Sequence, residues 1–189
     1  HVTKPVYPKL KLRKRKGTIK MTETDPLNFP PPNSDAHILT WNPEIQDISD
    51  SVINQTIKDL SHQSHIIRSW NVGRRTQGIN SGDTVYLLRQ GQDRPGIIAH
   101  GIINDEIHPD VWDIDPDKEG KFITYELHKM VTVDNRLKME DLVNHRNAQT
   151  GAGWKDIDWK FIRSSGRTLI PEDALELHDL WDRHHSKLP

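Results

Sequence analysis

The sequence predicts an α+β domain in which largely antiparallel strands form a sheet that curls or closes, with helices beside it. Three patterns predict this. Two β-rich runs in the centre, Thr84–Gln90 and Ile97–Ile103, are joined by the turn-rich segment Gly91–Gly96, as in a hairpin. A long run from Lys121 to Val133 alternates apolar and polar residues, the period of a half-buried strand. Two further segments carry apolar residues at helical spacing behind good starting residues. Long hairpins with so few helices favour a curled or closed sheet.

Each element has its own signal. His37–Trp41 is a short apolar run stopped by Asn42-Pro43, which reads as a first strand entering a turn. Ser49 or Asp50 can cap a helix with Val52, Ile53, Ile57 and Leu60 on one face. Ile66–Trp70 follows, then the polar, glycine-containing stretch Asn71–Gly78. Ser81-Gly82-Asp83 is the turn before the central hairpin. Ala99 and Gly101 leave one face of the second hairpin strand small, which admits another backbone or a ligand.

Residues 104–120 are polar and acidic around Trp112 and read as a loop. Leu137–His145 reads as a short helix, and Ser164–Arg167 as a tight loop after the two tryptophans of Trp154–Ile162. Pro171 suits the first turn of a last helix, with Glu172 and Asp173 at its positive end. Ala174, Leu177, Leu180 and Trp181 form its apolar stripe, and Arg183, His184 and His185 suit its negative end. Residues 35–189 are therefore the domain, and residues 1–34 an arm or linker punctuated by Pro5, Pro8, Pro26 and Pro30–Pro32.

Charge is unevenly placed. The chain is nearly neutral at −1, yet eight of its 26 Lys and Arg fall in residues 1–20, which hold no acid. All 27 acidic residues lie in the remainder, leaving it net acidic. A protein that coats DNA nonspecifically is basic throughout. Nucleic-acid binding by this chain would need a local basic lip and a selective pocket. The arm itself is either a solvated linker, a nucleic-acid contact or, through Val6, Leu10 and Leu12, an edge strand.

Several chemistries are excluded or unsupported. The absence of cysteine removes disulfides, thiolate zinc sites and cysteine nucleophiles. No apolar run approaches the ~20 residues of a membrane-spanning helix. The chain starts at His1 without a signal pattern, so it is expected to be a piece of a longer intracellular protein. Eleven histidines invite a metal reading, but His62/His65 and His184/His185 lack zinc-helix spacing, and surface histidine is the simpler expectation. Asp113, Asp115, Asp117 and Glu119 alternate without completing a calcium loop. Asp117, Glu119 and Lys121 can be forced into a nuclease signature, but on a loop. There is no nucleophile elbow, phosphate loop or dinucleotide fingerprint, and no cofactor or metal is expected.

What stands out is aromatic. Trp41, Trp70 and Trp112 fall at strand ends or in polar segments, flanked by small polar residues as in Thr40-Trp41-Asn42 and Ser69-Trp70-Asn71. Flat indole walls edged by Asn or Ser suit a planar heterocycle. The competing expectation is that all six tryptophans are core.

These residues carry a resemblance. Ile38–Pro43, Arg68-Ser-Trp70, Ile79–Gly91 and Pro95–Ile103 resemble the EVE family of PUA-like domains, in particular the prokaryotic branch joined to HNH nucleases. Trp159, Ser164–Gly166, Ile170-Pro171 and Leu180-Trp181 extend the likeness over roughly residues 37–185, and the YTH readers of methylated adenine are relatives with a comparable order of elements. The resemblance implies a small antiparallel or mixed β-barrel flanked by helices. It implies a binding module, not an enzyme, that flips a modified base, 5-methyl- or 5-hydroxymethylcytosine, out of double-stranded DNA into an aromatic pocket. It implies service to a nuclease or motor in the same prokaryotic, cytoplasmic restriction system. The pocket would be Trp41, Asn42, Ser69, Trp70, Asn71 and Trp112. Arg74, Arg75, Arg163, Ser164, Ser165 and Arg167 would face the backbone.

Two alternatives stay open on function. One is a reader of N6-methyladenine in DNA or RNA. The other is a hydrolase of modified nucleosides of the ASCH type, for which Lys121 with Glu126 is the only pair to nominate.

Overall fold

The structure, a computed structural model, describes residues 34–44, 48–75, 77–112 and 115–188. The basic arm to residue 33, Asp113 and the side chains of Trp112 and Asp115 lie outside the described residues.

The elements in chain order are β1 (Ala36–Trp41), α1 (Asp50–Leu60), β2 (Ile66–Asn71), β3 (Thr84–Arg89), β4 (Gly96–Trp112), β5 (Asp115–Met130), β6 (Leu137–Lys138), α2 (Met139–Asn144), β7 (Arg167–Leu169) and α3 (Pro171–His185). One 3-10 turn, Trp159–Phe161, precedes β7. The strands form one mixed sheet in the order β2-β5-β4-β3-β1-β7, with β6 added to β4. β1 and β3 run parallel, Ala36 opposite Thr84 through Trp41 opposite Arg89. The other pairs are antiparallel.

The α+β fold with a mixed, strongly curved sheet is as the sequence predicts. β4 carries the curvature, because its register against β5 shifts repeatedly between His100 and Trp112, and bulges bend and twist a strand. The path of ladders is open at β2 and β7, but the two ends meet through side chains. Arg75, just after β2, donates from its guanidinium to Thr168 Oγ1 on β7 at 2.8 Å. Trp70 of β2 donates from Nε1 to Ser165 Oγ, two residues before β7, at 3.3 Å. The sheet is therefore not a closed barrel; its two edges are bridged only by these side-chain hydrogen bonds.

Caps explain where the helices start. Ser49 accepts from the Val52 amide, and Pro171 opens α3 with Glu172 and Asp173 in its first turn. Asp173 is buried and accepts from the amides of Lys155, Asp156 and Ile157, tying the preceding loop to α3. The core runs through Ile38, Leu39, Leu88, Ile97, Ile98, Ile123, Leu127, Leu177 and Trp181. Every residue of β3 is buried. α3 lies over it, with the Trp181 ring edge-on to Tyr86 and His178 Nδ1 at 3.3 Å from the Tyr86 hydroxyl. Among the described residues no helix is long and apolar enough to cross a membrane.

One expectation changes here and another is narrowed to one of its two options. The polar stretch 104–112 is strand, not loop, and with β5 makes a long two-stranded ribbon. Gly101 admits a backbone, not a ligand: a Cβ there would lie 2.2 Å from the Glu126 carbonyl oxygen of β5.

Candidate functional site

The seam between β2 and β7 brings together Trp70, Arg75 and Ser165 of the residues nominated above. Ser165 is its hub. Its Oγ accepts from the Thr40 amide at 2.8 Å and lies 3.1 Å from Thr40 Oγ1 and 3.3 Å from the Trp70 indole nitrogen. β1 supplies Thr40, β2 supplies Trp70, and the tight loop before β7 supplies Ser165. Gly166 turns that loop with φ 85° and donates its amide to Ile38 O at 2.8 Å.

A second chain of bonds runs beside it. Arg75 donates to Thr168 Oγ1, which meets His37 Nδ1 at 3.1 Å, and His37 Nε2 meets Asp83 Oδ2 at 2.9 Å. Asp83 also accepts from the amides of Asn80 and Asp35. Burial holds the His37 imidazole below its ordinary value, and the Arg75 guanidinium adds to this against the raising effect of Asp83. A neutral His37 donates from Nε2 to the carboxylate and accepts at Nδ1 from the Thr168 hydroxyl. Arg75 is therefore a structural tie. It also donates to Gln77 O, and its Cδ would meet a Cβ at Gly166 within 3.1 Å.

The tryptophans divide. Trp41 is 1% exposed, inside the core, with the buried Arg89 guanidinium 5.4 Å from its ring centre. It is not a pocket wall as it stands, because its ring is enclosed in the core cluster. Trp70 is also buried, in the same core cluster, and keeps 9% of its surface. Ser69 and Asn71 do not edge the Trp70 ring, since neighbours on a strand point to opposite faces. Ser69 is exposed, and Asn71 Oδ1 accepts from the Gly73 amide. Asn42 similarly closes its own turn on the Glu44 amide. The backbone of Trp112 ends β4, far along the ribbon from the Ile103–Tyr125 pair.

Among the cations, Arg74 and Arg163 are exposed, as is Ser164. Arg167 is exposed but paired with Asp156 at 2.8 Å. Lys121 and Glu126 are not brought together: five residues along β5 separate them by roughly 16 Å and put them on opposite faces. Asp117, Glu119 and Lys121 lie on β5, and both acids are exposed. Among the described residues no group of three or more His, Asp or Glu is placed to hold a metal ion.

A groove of about 430 Å³ lies away from this seam, lined by Trp154 and Trp159 with Val143, Ile157, Arg146 and Lys160. The two indoles meet edge to face at 5.2 Å, and Trp154 Nε1 donates to Leu142 O at 2.6 Å. Trp159 Nε1 is buried with no hydrogen-bond partner among the described residues. The signal that could have found this groove was the pair of tryptophans five residues apart beside Arg146 and Lys160.

Against known proteins, no family model and no curated sequence matches this chain. Solved structures do. The human THYN1 protein in complex with 5-methylcytosine-containing DNA is similar at TM-score 0.54 and 16% identity, over 82% of this chain and 100% of that one. A hypothetical protein from Leishmania major matches at 0.51 and 12%, over 80% and 97%. Protein PSPTO5229 from Pseudomonas syringae matches at 0.50 and 14%, over 77% and 98%. At these identities the likeness establishes the architecture alone: this chain has the PUA-like α+β fold.

Proposed function

We propose that this chain binds double-stranded DNA carrying a modified base, 5-methyl- or 5-hydroxymethylcytosine, and draws that base out of its helix onto Trp70. The observation that carries the reading is the Trp70–Ser165–Thr40 cluster at the seam, with Arg74 and Arg163 exposed beside it. The likeness of fold to THYN1, solved with 5-methylcytosine DNA, supports it.

The Trp70–Ser165 bond is long at 3.3 Å, so a base edge that takes over either partner gives up little. Extrusion costs a few kcal/mol, and stacking on an aromatic ring returns about 1–3 kcal/mol. A buried methyl then adds roughly 0.8 kcal/mol, enough to tip a near balance. Arg74 and Arg163 position the strand through phosphates, and Arg167 joins them when it leaves Asp156. Cleavage in a modification-dependent restriction system would belong to a nuclease or motor partner.

The test is a panel of duplexes identical but for one base. Trp70→Ala is expected to abolish the preference for modified over plain duplex. Equal loss on both would make Trp70 a folding residue. The groove favours a second placement of the base, between Trp154 and Lys160. There Trp154→Ala, not Trp70→Ala, would remove the preference.

A further inference from the structure

Phe161 is 65% exposed, the most exposed large apolar side chain among the described residues. Its backbone is held on both sides. The Asp158 side chain accepts from the Lys160 amide, and the Phe161 amide donates to Asp158 O at 3.1 Å. Gln90 Nε2 donates to Ile162 O at 2.5 Å, and Ser165 and Gly166 are bound to Thr40 and Ile38 of β1. A ring on a turn pinned at so many points is presented outward by the fold, not left there by slack. Lys160 and Arg163 flank it, both exposed and neither in an ion pair among the described residues.

Phe161 is four residues from Ser165, the partner of Trp70, hence at most roughly 14 Å away. That is about four steps of a stacked strand at roughly 3.4 Å each. A base that leaves the helix exposes the faces of its neighbours, and apolar side chains are what proteins insert between base steps. The order cation, aromatic, cation on one rigid turn fits a stack bounded by phosphates. A protein partner would instead need an apolar patch, and the exposed residues flanking Phe161, Lys160 and Arg163, are charged.

We infer that Phe161 is a wedge that enters the duplex where the target base has left, with Lys160 and Arg163 on the phosphates to either side. This rests on the base-reading function proposed above. The vacancy exists only in a duplex, which gives the test its contrast. Full-length protein, Phe161→Ala and Phe161→Trp are titrated against three oligonucleotides: modified duplex, plain duplex, and the modified strand alone.

Phe161→Ala is expected to weaken modified-duplex binding roughly 5- to 150-fold, the range that one aromatic stack on a base supplies. It leaves the single strand unchanged, and Phe161→Trp restores duplex binding. Unchanged duplex affinity in Phe161→Ala, with wild-type preference for the modified base intact, overturns the wedge alone. Equal loss on duplex and single strand also overturns it, making Phe161 a general contact. Wild-type protein that does not distinguish modified from plain duplex overturns the base-reading function and the wedge with it.

Discussion

Replacing Trp41 by alanine is expected to lower stability by about 3–5 kcal/mol, the usual result of emptying a large core site. Urea unfolding of Trp41→Ala without any nucleic acid checks it, and a drop of less than about 1 kcal/mol would contradict the core placement. The destabilisation has two sources, the indole itself and the Arg89 guanidinium that lies over it. Arg89 is 6% exposed, and its donors go to the Asp93 and Arg94 carbonyls and to the Asp93 carboxylate. Without the ring, that cation is deprived of the aromatic face beside it. Trp41 and Trp70 look alike in the sequence, each at a strand end beside small polar residues. They part because Trp70 sits on edge strand β2, whose burial alternates, whereas residues 36–39 of β1 are buried without alternation. A strand covered on both faces gives no sign of which way a side chain points, so the role of Trp41 was not legible.

At the scale of elements, the packing of α3 depends on neutral histidines. His100 of β4 is buried and faces His128 and Lys129 of β5 and His178 and His185 of α3. Burial, then these neighbours, push its imidazole down to about 3. Burial likewise lowers His128, against Glu126, and His185, with Lys129 adding to it. Each folded value lies below the unfolded one near 6.5, so the unfolded chain binds more protons in acid. The stability held by these neutral rings is complete above pH about 6.5 and is lost as pH falls toward about 3. Urea midpoints should therefore drop steadily from about pH 7 to about pH 5. His100→Gln should flatten that slope by up to one proton, and a slope unchanged in His100→Gln would refute this account.

The same elements show what a sequence displays. The Ser49 cap, the Pro171 start and the Thr84–Ile103 hairpin were legible because each is set by local chemistry. The β4/β5 ribbon was not, since beyond Asn104 most of its side chains meet solvent and no apolar period marks it.

For the whole molecule, charge separates affinity from selectivity. Residues 21–189 carry 18 Lys and Arg against 27 acidic residues, while residues 1–20 hold eight basic residues and no acid. Neutralising Lys14, Arg15 and Lys16 is expected to reduce the salt dependence of DNA binding, by up to roughly 0.9 log unit for each phosphate left without its cation. The modified-to-plain affinity ratio should not move. Titrations between about 50 and 200 mM salt measure both, and a collapsed ratio would assign base reading to the arm. The polar members of the candidate site were legible as residue types but not as a cluster. Ser165 meets Thr40 and Trp70 only because the sheet curls until its two edges touch, and no spacing along the chain encodes that closure.

The strand order has a consequence for how the molecule is made. β1 comes first in the domain, yet its two sheet neighbours are β3 and β7. During synthesis it waits for the hairpin and then for Arg167–Leu169, well over a hundred residues downstream. Ribosome-stalled chains ending before Ser165 would hold β1 without its β7 neighbour and Trp70 without its Ser165 partner, so a segment far downstream of β1 completes that side of the sheet.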